Sequence, residues 1–146
     1  MSKLIVYTFR TNPFKTAIQE NGKDIFIFGP LNKDLESFKE YILKKKPNCI
    51  LGIATTKGKT QIETRAINAF GKRKLSKTKE SLDLTIPHSM IFPSATQPTT
   101  SFCNWTMFKI AEYISQENLP IKLSFIHFNP KDIQLVINFI QIYGKE

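Results

Sequence analysis

Residues 101–130, SFCNWTMFKIAEYISQENLPIKLSFIHFNP, decide the fold because they place a helix directly before a strand. Apolar side chains recur at helical spacing over residues 103–116, which predicts a helix there. Residues 121–128 form an apolar run of strand length. Asn129 and Pro130 follow as a capping side chain and a proline suited to the first helical position, so a second helix is predicted after the strand.

The same alternation of strands and helices extends towards the N-terminus. The pattern predicts strands over residues 3–8, 24–29 and 49–54 and a helix over residues 33–46. Strands that alternate with helices are typical of an α/β protein with a mostly parallel sheet. The predicted fold is a three-layer α/β/α sandwich with a mixed, mainly parallel sheet. A length of 146 residues suits one domain over residues 1–146.

The segments between these elements have weaker patterns. Residues 60–69 alternate as one extended strand would, with Glu63 and Arg65 on one side. Residues 71–85 are basic and contain Ser and Thr, which predicts a mobile loop. Residues 89–92, SMIF, are predicted to form a further short strand. The last helix carries apolar residues on two sides, so it is expected to lie between layers or at a contact in a homo-oligomer.

The charge is strongly basic, with a formal net charge of +9 and a pI of about 9.6. This balance keeps binding to nucleic acid or another anionic surface open as a lesser alternative. No recognition helix, zinc finger or RNA-binding aromatic signature accompanies the charge in the sequence, which weakens that alternative.

The chain has two cysteines and two histidines. The cysteines are too few for a disulfide scaffold or a cysteine zinc site, and the histidines lack metal-ligand spacing, so no metal or other cofactor is predicted. No run approaches the roughly 18 apolar residues of a membrane span. The N-terminus lacks the features of a signal peptide. A cytoplasmic protein without membrane association is the expectation.

Cys103 stands where a loop becomes a helix, and this position suits a nucleophile. The N–H groups and partial positive charge of a helix N-terminus favour a thiolate and can bind the oxygen of a tetrahedral intermediate. His127 lies near the end of the following strand, and the carboxyl ends of parallel strands gather at one edge of a sheet. His127 can therefore exchange a proton with Cys103, while a carboxylate such as Glu63 fixes its tautomer.

Each of these residues also has a structural interpretation, which the residues alone leave open. A cysteine at a helix start can be an inert buried thiol. A histidine at a strand end can simply satisfy a loop carbonyl. Glu63 can pair with Arg65 or a lysine on a solvated face.

Three segments together resemble the pyroglutamyl peptidase I family, also called pyrrolidone-carboxylate peptidases. ETRAIN, residues 63–68, is similar to the E-x-x-A-x-N signature around that family's catalytic glutamate. SFCNWTMF, residues 101–108, resembles the segment around its nucleophilic cysteine. SFIHFNP, residues 124–130, resembles the segment around its histidine. The three segments occur in the family's order and with compatible spacing.

The resemblance implies a shortened and divergent cysteine peptidase that removes an N-terminal pyroglutamyl residue from peptides. Cys103 is then the nucleophile that forms a thioester, His127 is the acid and base, and Glu63 orients His127. The resemblance further implies aromatic packing on the substrate ring, an asparagine that hydrogen-bonds the ring and an arginine near the oxyanion. The residues at these positions are Phe9 and Phe102, Asn12, and Arg73.

The substrate loop departs from the family's G-F-x-P-F-G-G pattern. Phe9 matches the first phenylalanine, but Thr8 replaces the leading glycine. The P-F-G-G portion is missing unless Pro13 and Phe14 supply a displaced substitute. The catalytic residues therefore match the family better than the specificity residues do. Two alternatives follow: an amide hydrolase of the same fold with altered specificity, or a binding protein that keeps the three residues without turnover.

Overall fold

The structure, a computed structural model, describes residues 3–145. Strands and helices alternate along most of this range. The strands are β1 (Leu4–Phe9), β2 (Ile25–Phe28), β3 (Cys49–Thr55), β4 (Gln61–Ile62), β5 (Arg65–Ile67), β6 (Ser81–Asp83) and β7 (Lys122–Phe128). The helices are α1 (Lys15–Asn21), α2 (Leu31–Lys45), α3 (Phe102–Gln116) and α4 (Ile133–Tyr143), with a 3₁₀ turn at Pro130–Asp132 just before α4.

A five-stranded sheet with the order β2-β1-β3-β7-β4 forms the centre of the fold. Its first four strands are parallel to one another, and β4 is antiparallel to β7. β5 and β6 form a separate antiparallel pair. The predicted mixed and mainly parallel sheet is thus confirmed.

Helices cover both faces of this sheet, and each face has its own apolar core. On one face, α2 and α3 contribute buried side chains such as Phe38 and Phe108. On the other face, α1 and α4 contribute side chains such as Ile18 and Phe139. Alternate residues of a buried strand point to opposite faces, so each central strand contributes to both cores. The predicted α/β/α sandwich is therefore confirmed.

Aromatic rings crowd the sheet around Gly52 in β3. This glycine pairs with Tyr7 of β1 on one side and with Phe125 of β7 on the other. A Cβ atom at this position would clash with both rings. A residue without a side chain is therefore required for these two rings to cover the centre of the sheet.

The elements predicted from residues 101–130 are confirmed to within a few residues, with one difference. Asn129 does cap the next element, because its side chain accepts a hydrogen bond from the N–H of Lys131. That element is the short 3₁₀ turn, and α4 starts only at Ile133. None of the helices within residues 3–145 is long and apolar enough to cross a membrane.

α4 buries one of its two apolar sides against the sheet. Val136 and Ile140 are buried in the second core. On the outer side, Leu135 is 46 % exposed and Ile142 is 56 % exposed. The helix thus covers the sheet from outside rather than lying between two layers, and the homo-oligomer contact stays a prediction.

The single strand predicted over residues 60–69 is wrong. β4 ends at Ile62, and the N–H of Glu63 then bonds the carbonyl of Phe125 at 2.8 Å. β5 starts at Arg65 and pairs with β6 instead of β7. Because of this break, Glu63 is buried while Arg65, predicted on the same side, is exposed.

The short strand predicted over residues 89–92 is also wrong. The N–H of Met90 bonds the carbonyl of Pro87 at 3.1 Å in a turn, and a second proline follows the segment. Prolines lack the N–H that a sheet ladder needs. Met90 and Phe92 pack against the second core, and this packing accounts for the apolar run.

The basic segment 71–85, predicted to be a mobile loop, contains ordered structure. β6 lies within it. The buried side chain of Asn68 accepts hydrogen bonds from the N–H groups of Leu75 and Ser76 and donates to the carbonyls of Ser76 and Lys79. One amide therefore fixes the segment at four backbone groups.

The sequence analysis did not predict α1. No side-chain hydrogen bond caps this helix, its N-cap is Phe14, and its first turn has no acidic residue. Ile18 is its one buried residue. The usual start signals of a helix are thus absent from this segment.

Candidate active site

Three elements bring Cys103, His127 and Glu63 to one edge of the sheet. Cys103 is the second residue of α3, His127 is the sixth residue of β7, and Glu63 directly follows β4. β4 pairs with the end of β7, where Gln61 lies opposite His127. At this edge the parallel strands have their carboxyl ends, which is where open α/β sheets gather their binding groups.

His127 and Glu63 are hydrogen-bonded, with Nδ1 of the ring 2.9 Å from Oε2 of the carboxylate. A carboxylate accepts, so Nδ1 carries the hydrogen and donates it to Glu63. The side chain of Glu63 is 3 % exposed, and the imidazole supplies the partner that a buried carboxylate needs. The contact fixes the ring and leaves Nε2 for proton exchange.

A cavity of about 240 Å³ opens beside this pair, and both Cys103 and His127 line it. Its other walls come from the chain after β1, the end of β3 and the start of α3. The residues there are Phe9, Thr11, Asn12, Ala54, Thr55, Thr56, Ser101 and Phe102. The predicted nucleophile and the predicted acid and base thus face the same space.

The thiol of Cys103 is neutral in the free protein. Burial raises its pKa from an ordinary value of 9.0 to about 12, a hydrogen bond with Ser101 opposes this rise, and the negative charge of Glu63 adds to it. The prediction that the helix N-terminus favours a thiolate is therefore wrong for the resting state, because burial outweighs it. No hydrogen bond joins this thiol to His127 in the described range, residues 3–145.

Ser101 is a site residue that the sequence analysis missed. Its hydroxyl caps α3 by accepting a hydrogen bond from the N–H of Cys103 at 3.2 Å. The hydroxyl of Thr99 donates to it at 3.0 Å. The signal in the sequence was a serine two residues before Cys103, where the predicted helix starts, because serine is typical of the N-cap position. The N–H predicted to bind the oxyanion is thus already engaged in the free protein.

Asn104 ties the helix of Cys103 to the segment that follows Glu63. Its side chain is fully buried. It accepts from the N–H of Ile67 at 2.9 Å and donates to the carbonyls of Ile67 at 2.9 Å and Ala69 at 2.8 Å. These bonds use both ends of the amide. They hold the start of α3, and with it the thiol, against β5.

A pair of buried hydroxyl groups supports the first turn of α3 from the sheet. Thr106 donates its hydrogen to the carbonyl of Cys103 at 2.8 Å, so the hydroxyl of Tyr7 donates to Thr106 across 3.0 Å. Burial raises the pKa of Tyr7 well above its usual range, and the phenol stays neutral. β1 thereby anchors the turn that carries the thiol.

The structure brings three of the four predicted substrate-binding residues to the cavity, namely Phe9, Asn12 and Phe102. The rings of Phe9 and Phe102 meet edge to face, with centroids 4.8 Å apart and planes at 79°. Phe9 is 4 % exposed and forms part of the wall, whereas Phe102 is 39 % exposed and therefore more accessible to a ligand.

Thr8 and Asn12 form a hydrogen-bonded unit in the segment whose sequence departs from the glycine-rich loop of the pyroglutamyl peptidase I family. Thr8 donates its hydroxyl hydrogen to the carbonyl of Ile53 at 2.7 Å and accepts from Nδ2 of Asn12 at 2.9 Å. Oδ1 of Asn12 accepts from the N–H of Phe14 at 2.9 Å. Asn12 is therefore held rigidly in the wall, with a second Nδ2 hydrogen left for a ligand.

Arg73 is not among the residues that line the cavity. It is exposed and lies in a turn in which the N–H of Phe70 bonds the Arg73 carbonyl at 2.8 Å. Its guanidinium lies 5.9 Å from the centre of the Phe70 ring. The structure thus leaves the predicted arginine outside the place where an oxyanion would form.

The site offers three side chains suited to chemistry: the thiol of Cys103, the imidazole of His127 and the carboxylate of Glu63. Within residues 3–145, no cluster of three or more His, Cys, Asp or Glu side chains could hold a metal ion. A thiol and an imidazole that line one cavity, with a carboxylate on the far nitrogen of the imidazole, are side chains that nucleophilic acyl transfer can use.

Comparison with solved structures identifies the fold as that of the pyroglutamyl peptidases, which are also called pyrrolidone carboxyl peptidases. Pyroglutamyl peptidase I from Bacillus amyloliquefaciens has a TM-score of 0.76 at 16 % identity, over 99 % of this chain and 97 % of that chain. Pyrrolidone carboxyl peptidase from Thermococcus litoralis has a TM-score of 0.70 at 18 % identity, over 87 % and 76 %. A mutant pyrrolidone carboxyl peptidase from Pyrococcus furiosus has a TM-score of 0.66 at 17 % identity, over 94 % and 86 %.

The similarity to these peptidases lies in the three-dimensional structure rather than in the sequence. No protein-family model and no curated protein sequence matches the chain. At these identities a structural match shows a shared fold, and the fold expected from the three sequence segments is confirmed. The activity has to be argued from the site.

Proposed function

We propose that this protein is a cysteine peptidase that releases an N-terminal pyroglutamyl residue from peptides. The observation that carries the proposal is the His127–Glu63 pair at the cavity that Cys103 also lines. A thiol and an imidazole of fixed tautomer at one cavity are suited to attack on an amide carbonyl. The shared fold with pyroglutamyl peptidases supports the choice of substrate.

The reaction starts from a neutral thiol, since burial raises the pKa of Cys103 to about 12. Nε2 of His127 takes the thiol proton as the sulfur attacks the carbonyl carbon of the pyroglutamyl residue. Glu63 stabilises the imidazolium that forms. Deprotonation is thus coupled to attack, in contrast to enzymes that hold a preformed thiolate.

The oxygen of the tetrahedral intermediate takes up the negative charge, and the N–H of Cys103 is its proposed donor. In the free protein this N–H bonds Ser101 at 3.2 Å, at the long end of the usual range. A charged oxygen is a stronger acceptor than a hydroxyl and can displace it. His127 then gives its proton to the departing amine, the C–N bond breaks, and the sulfur of Cys103 carries the acyl group as a thioester.

Water completes the turnover. His127 takes a proton from the water as the water oxygen attacks the thioester carbonyl, and the sulfur leaves and regains the proton from His127. Free pyroglutamate is the product. For the ring of the substrate, we assign packing to Phe9 and Phe102 and a hydrogen bond to Nδ2 of Asn12.

Release of a chromophore from a pyroglutamyl amide tests this proposal. We expect release by the wild-type protein and its loss in Cys103→Ala. Cys49→Ala is the matched control, because Cys49 is the other free, buried cysteine. It is the first residue of β3, whereas the cavity is lined by the last residues of that strand. No release by the wild-type protein, or equal release by Cys103→Ala, would rule the proposal out.

An amide hydrolase of altered specificity is the second candidate, and the Thr8–Asn12 unit favours it. This unit fills the position of the family's glycine-rich loop and fixes the shape of the wall. A panel of peptides with different N-terminal blocking groups, such as acetyl, formyl and pyroglutamyl, separates the two. Preference for a blocking group other than pyroglutamyl, with the same dependence on Cys103, would establish this candidate.

We also propose a cytoplasmic location. Cys49 and Cys103 are both free, and a reducing compartment keeps thiols in that state. Fractionation of cells that express the protein, with marker proteins for each compartment, checks the location. Recovery outside the cytoplasmic fraction would contradict it.

A further inference from the structure

A first basic turn, residues 57–59 with the sequence Lys-Gly-Lys, leaves the sheet directly after Thr56, which lines the cavity. The amide of Asn129 holds this turn by donating to the carbonyls of Lys57 at 3.2 Å and Gly58 at 2.9 Å. Both lysines are exposed. The backbone of this turn is thus held next in the chain to a cavity residue, and it carries two exposed cationic side chains.

A second basic turn, residues 72–74 with the sequence Lys-Arg-Lys, does not line the cavity but follows a residue that is hydrogen-bonded to the chain next to it. The N–H of Gly71 donates to the carbonyl of Thr100 at 3.0 Å, and Thr100 directly precedes the cavity residue Ser101. The side chain of Asn68 fixes the backbone just after the turn. All three cations of this turn are exposed.

Most of this positive charge has no ion-pair partner within residues 3–145. Lys74 lies 3.5 Å from the exposed carboxylate of Glu80. The carboxylate of the site, Glu63, is already bound to the imidazole. The other four cations form no ion pair in the part of the chain that the structure describes: Lys57, Lys59, Lys72 and Arg73.

We propose that the natural substrate of the site is an acidic peptide, with aspartate or glutamate side chains after its blocked first residue. A pyroglutamyl group has no free amine, so such a peptide brings no N-terminal positive charge to the basic turns. Acidic side chains further along would be drawn to both turns. This inference rests on the proposed function for the reaction, and on the two turns for the charge of the substrate.

The attraction between the basic turns and an acidic peptide is electrostatic, and this determines which measurement detects it. The cations are exposed, so they act through long-range fields that salt screens rather than through rigid buried pairs. Such fields increase the rate of encounter, which appears in kcat/KM. The preference for acidic peptides should therefore shrink as salt is added.

The test compares three pyroglutamyl-alanyl peptides that continue with two glutamates, two alanines or two lysines. At low salt we expect kcat/KM to be roughly 3- to 10-fold higher for the acidic than for the neutral peptide, and lowest for the basic one. At high salt the three values should converge. Equal values at low salt, or a preference for the basic peptide, would overturn the inference.

Reversing the charge of lysines in the two basic turns tests whether these turns cause the preference for the acidic peptide. The double variant Lys59→Glu with Lys72→Glu changes one lysine in each turn, and we expect it to lose the preference for the acidic peptide. The matched control is Lys44→Glu with Lys122→Glu, which changes the net charge equally but places it at the end of α2 and the start of β7. Equal loss in both double variants would assign the effect to net charge and overturn the proposal.

Binding separates this inference from the proposed reaction. If no peptide is cleaved, the proposed function fails, and fluorescence anisotropy with labelled versions of the three peptides still tests the charge preference. Tighter binding of the acidic peptide, lost in Lys59→Glu with Lys72→Glu, supports it. Equal binding of all three peptides, or tighter and steeply salt-dependent binding of a DNA oligonucleotide that the same double variant abolishes, refutes it.

Discussion

The corner that we propose to be catalytic (Cys103, His127 and Glu63) and the pocket wall (Phe9 to Asn12) are held by different kinds of structure. The corner lies where regular elements end, and buried hydrogen bonds from Asn104 and Thr106 fix its backbone. The wall starts at Phe9, the last residue of β1, and continues as irregular chain, and a side-chain hydrogen bond between Thr8 and Asn12 gives it its shape. The corner is thus fixed by the fold and the wall by a few side chains.

This difference teaches how reaction and specificity can change separately. A substitution in the wall alters a few side-chain contacts and leaves the sheet intact. A substitution in the corner disturbs groups that the whole fold positions. The proposed reaction chemistry can therefore persist with a wall that differs from the glycine-rich loop of pyroglutamyl peptidases.

The largest expected effect comes from removing the imidazole of the corner. We expect His127→Ala to lower kcat by up to about 10⁶-fold, as for a triad that works as one unit. The control is His88→Ala, which removes the other histidine, an exposed residue outside the cavity. Steady-state release from a pyroglutamyl amide measures both. A kcat near that of the wild-type protein in His127→Ala would contradict the division of roles between corner and wall, because the corner would then not carry out the reaction.

A smaller loss is expected when the carboxylate is neutralised. Glu63→Gln keeps the shape but removes the charge that orients and stabilises the imidazole, so kcat should fall about 10⁴-fold. Glu36→Gln serves as the control, because the side chain of Glu36 is 70 % exposed on α2. Single-turnover rates give the measurement. A loss confined to KM would place Glu63 in binding rather than in the corner.

A substitution that affects the pocket wall should change KM rather than kcat. Thr8→Val keeps the volume of the side chain but removes its hydrogen bonds to Ile53 and Asn12, so KM should rise about tenfold with kcat little changed. Thr8→Ser keeps the hydroxyl and should restore KM. A fall in kcat that Thr8→Ser does not rescue would show that wall and corner are not separate.

The smallest effect is a pH dependence of stability. The pKa of Cys103 is raised in the folded protein, so above pH 9.0 the unfolded chain releases this proton while the folded protein retains it. Stability is therefore lost as pH rises, by about 1 kcal/mol between about pH 9 and pH 10 from this group. Urea unfolding at these pH values should show less alkaline loss in Cys103→Ala than in the wild-type protein or Cys49→Ala. Parallel curves would contradict a buried neutral thiol.

The sequence predicted the strong elements because their signals are local. The helical spacing of α3 and the apolar run of β7 follow from residue types alone, and the motifs on them located Cys103 and His127. Glu63 was located by its motif, although the strand assigned to it was wrong. The break after Ile62 depends on pairing with Phe125 and on β6, which are distant contacts.

Other features of the site could not be predicted from local sequence patterns, because they depend on tertiary contacts. The raised pKa of Cys103 depends on tertiary burial, whereas sequence reasoning weighed only the helix N-terminus. The order in segment 71–85 comes from the pairing of β6 with β5 and from the side chain of Asn68, and both β5 and Asn68 lie before the segment in the chain. The role of Thr8 in holding Asn12 appears only once the loop is folded.

Rapid acid quench followed by mass spectrometry of the protein tests the central claim most directly. The wild-type protein mixed with a pyroglutamyl amide should carry one pyroglutamyl group as a thioester on Cys103, which Cys103→Ala lacks and Cys49→Ala retains. Turnover of the amide without an adduct on Cys103, together with full activity in Cys103→Ala, would contradict the account.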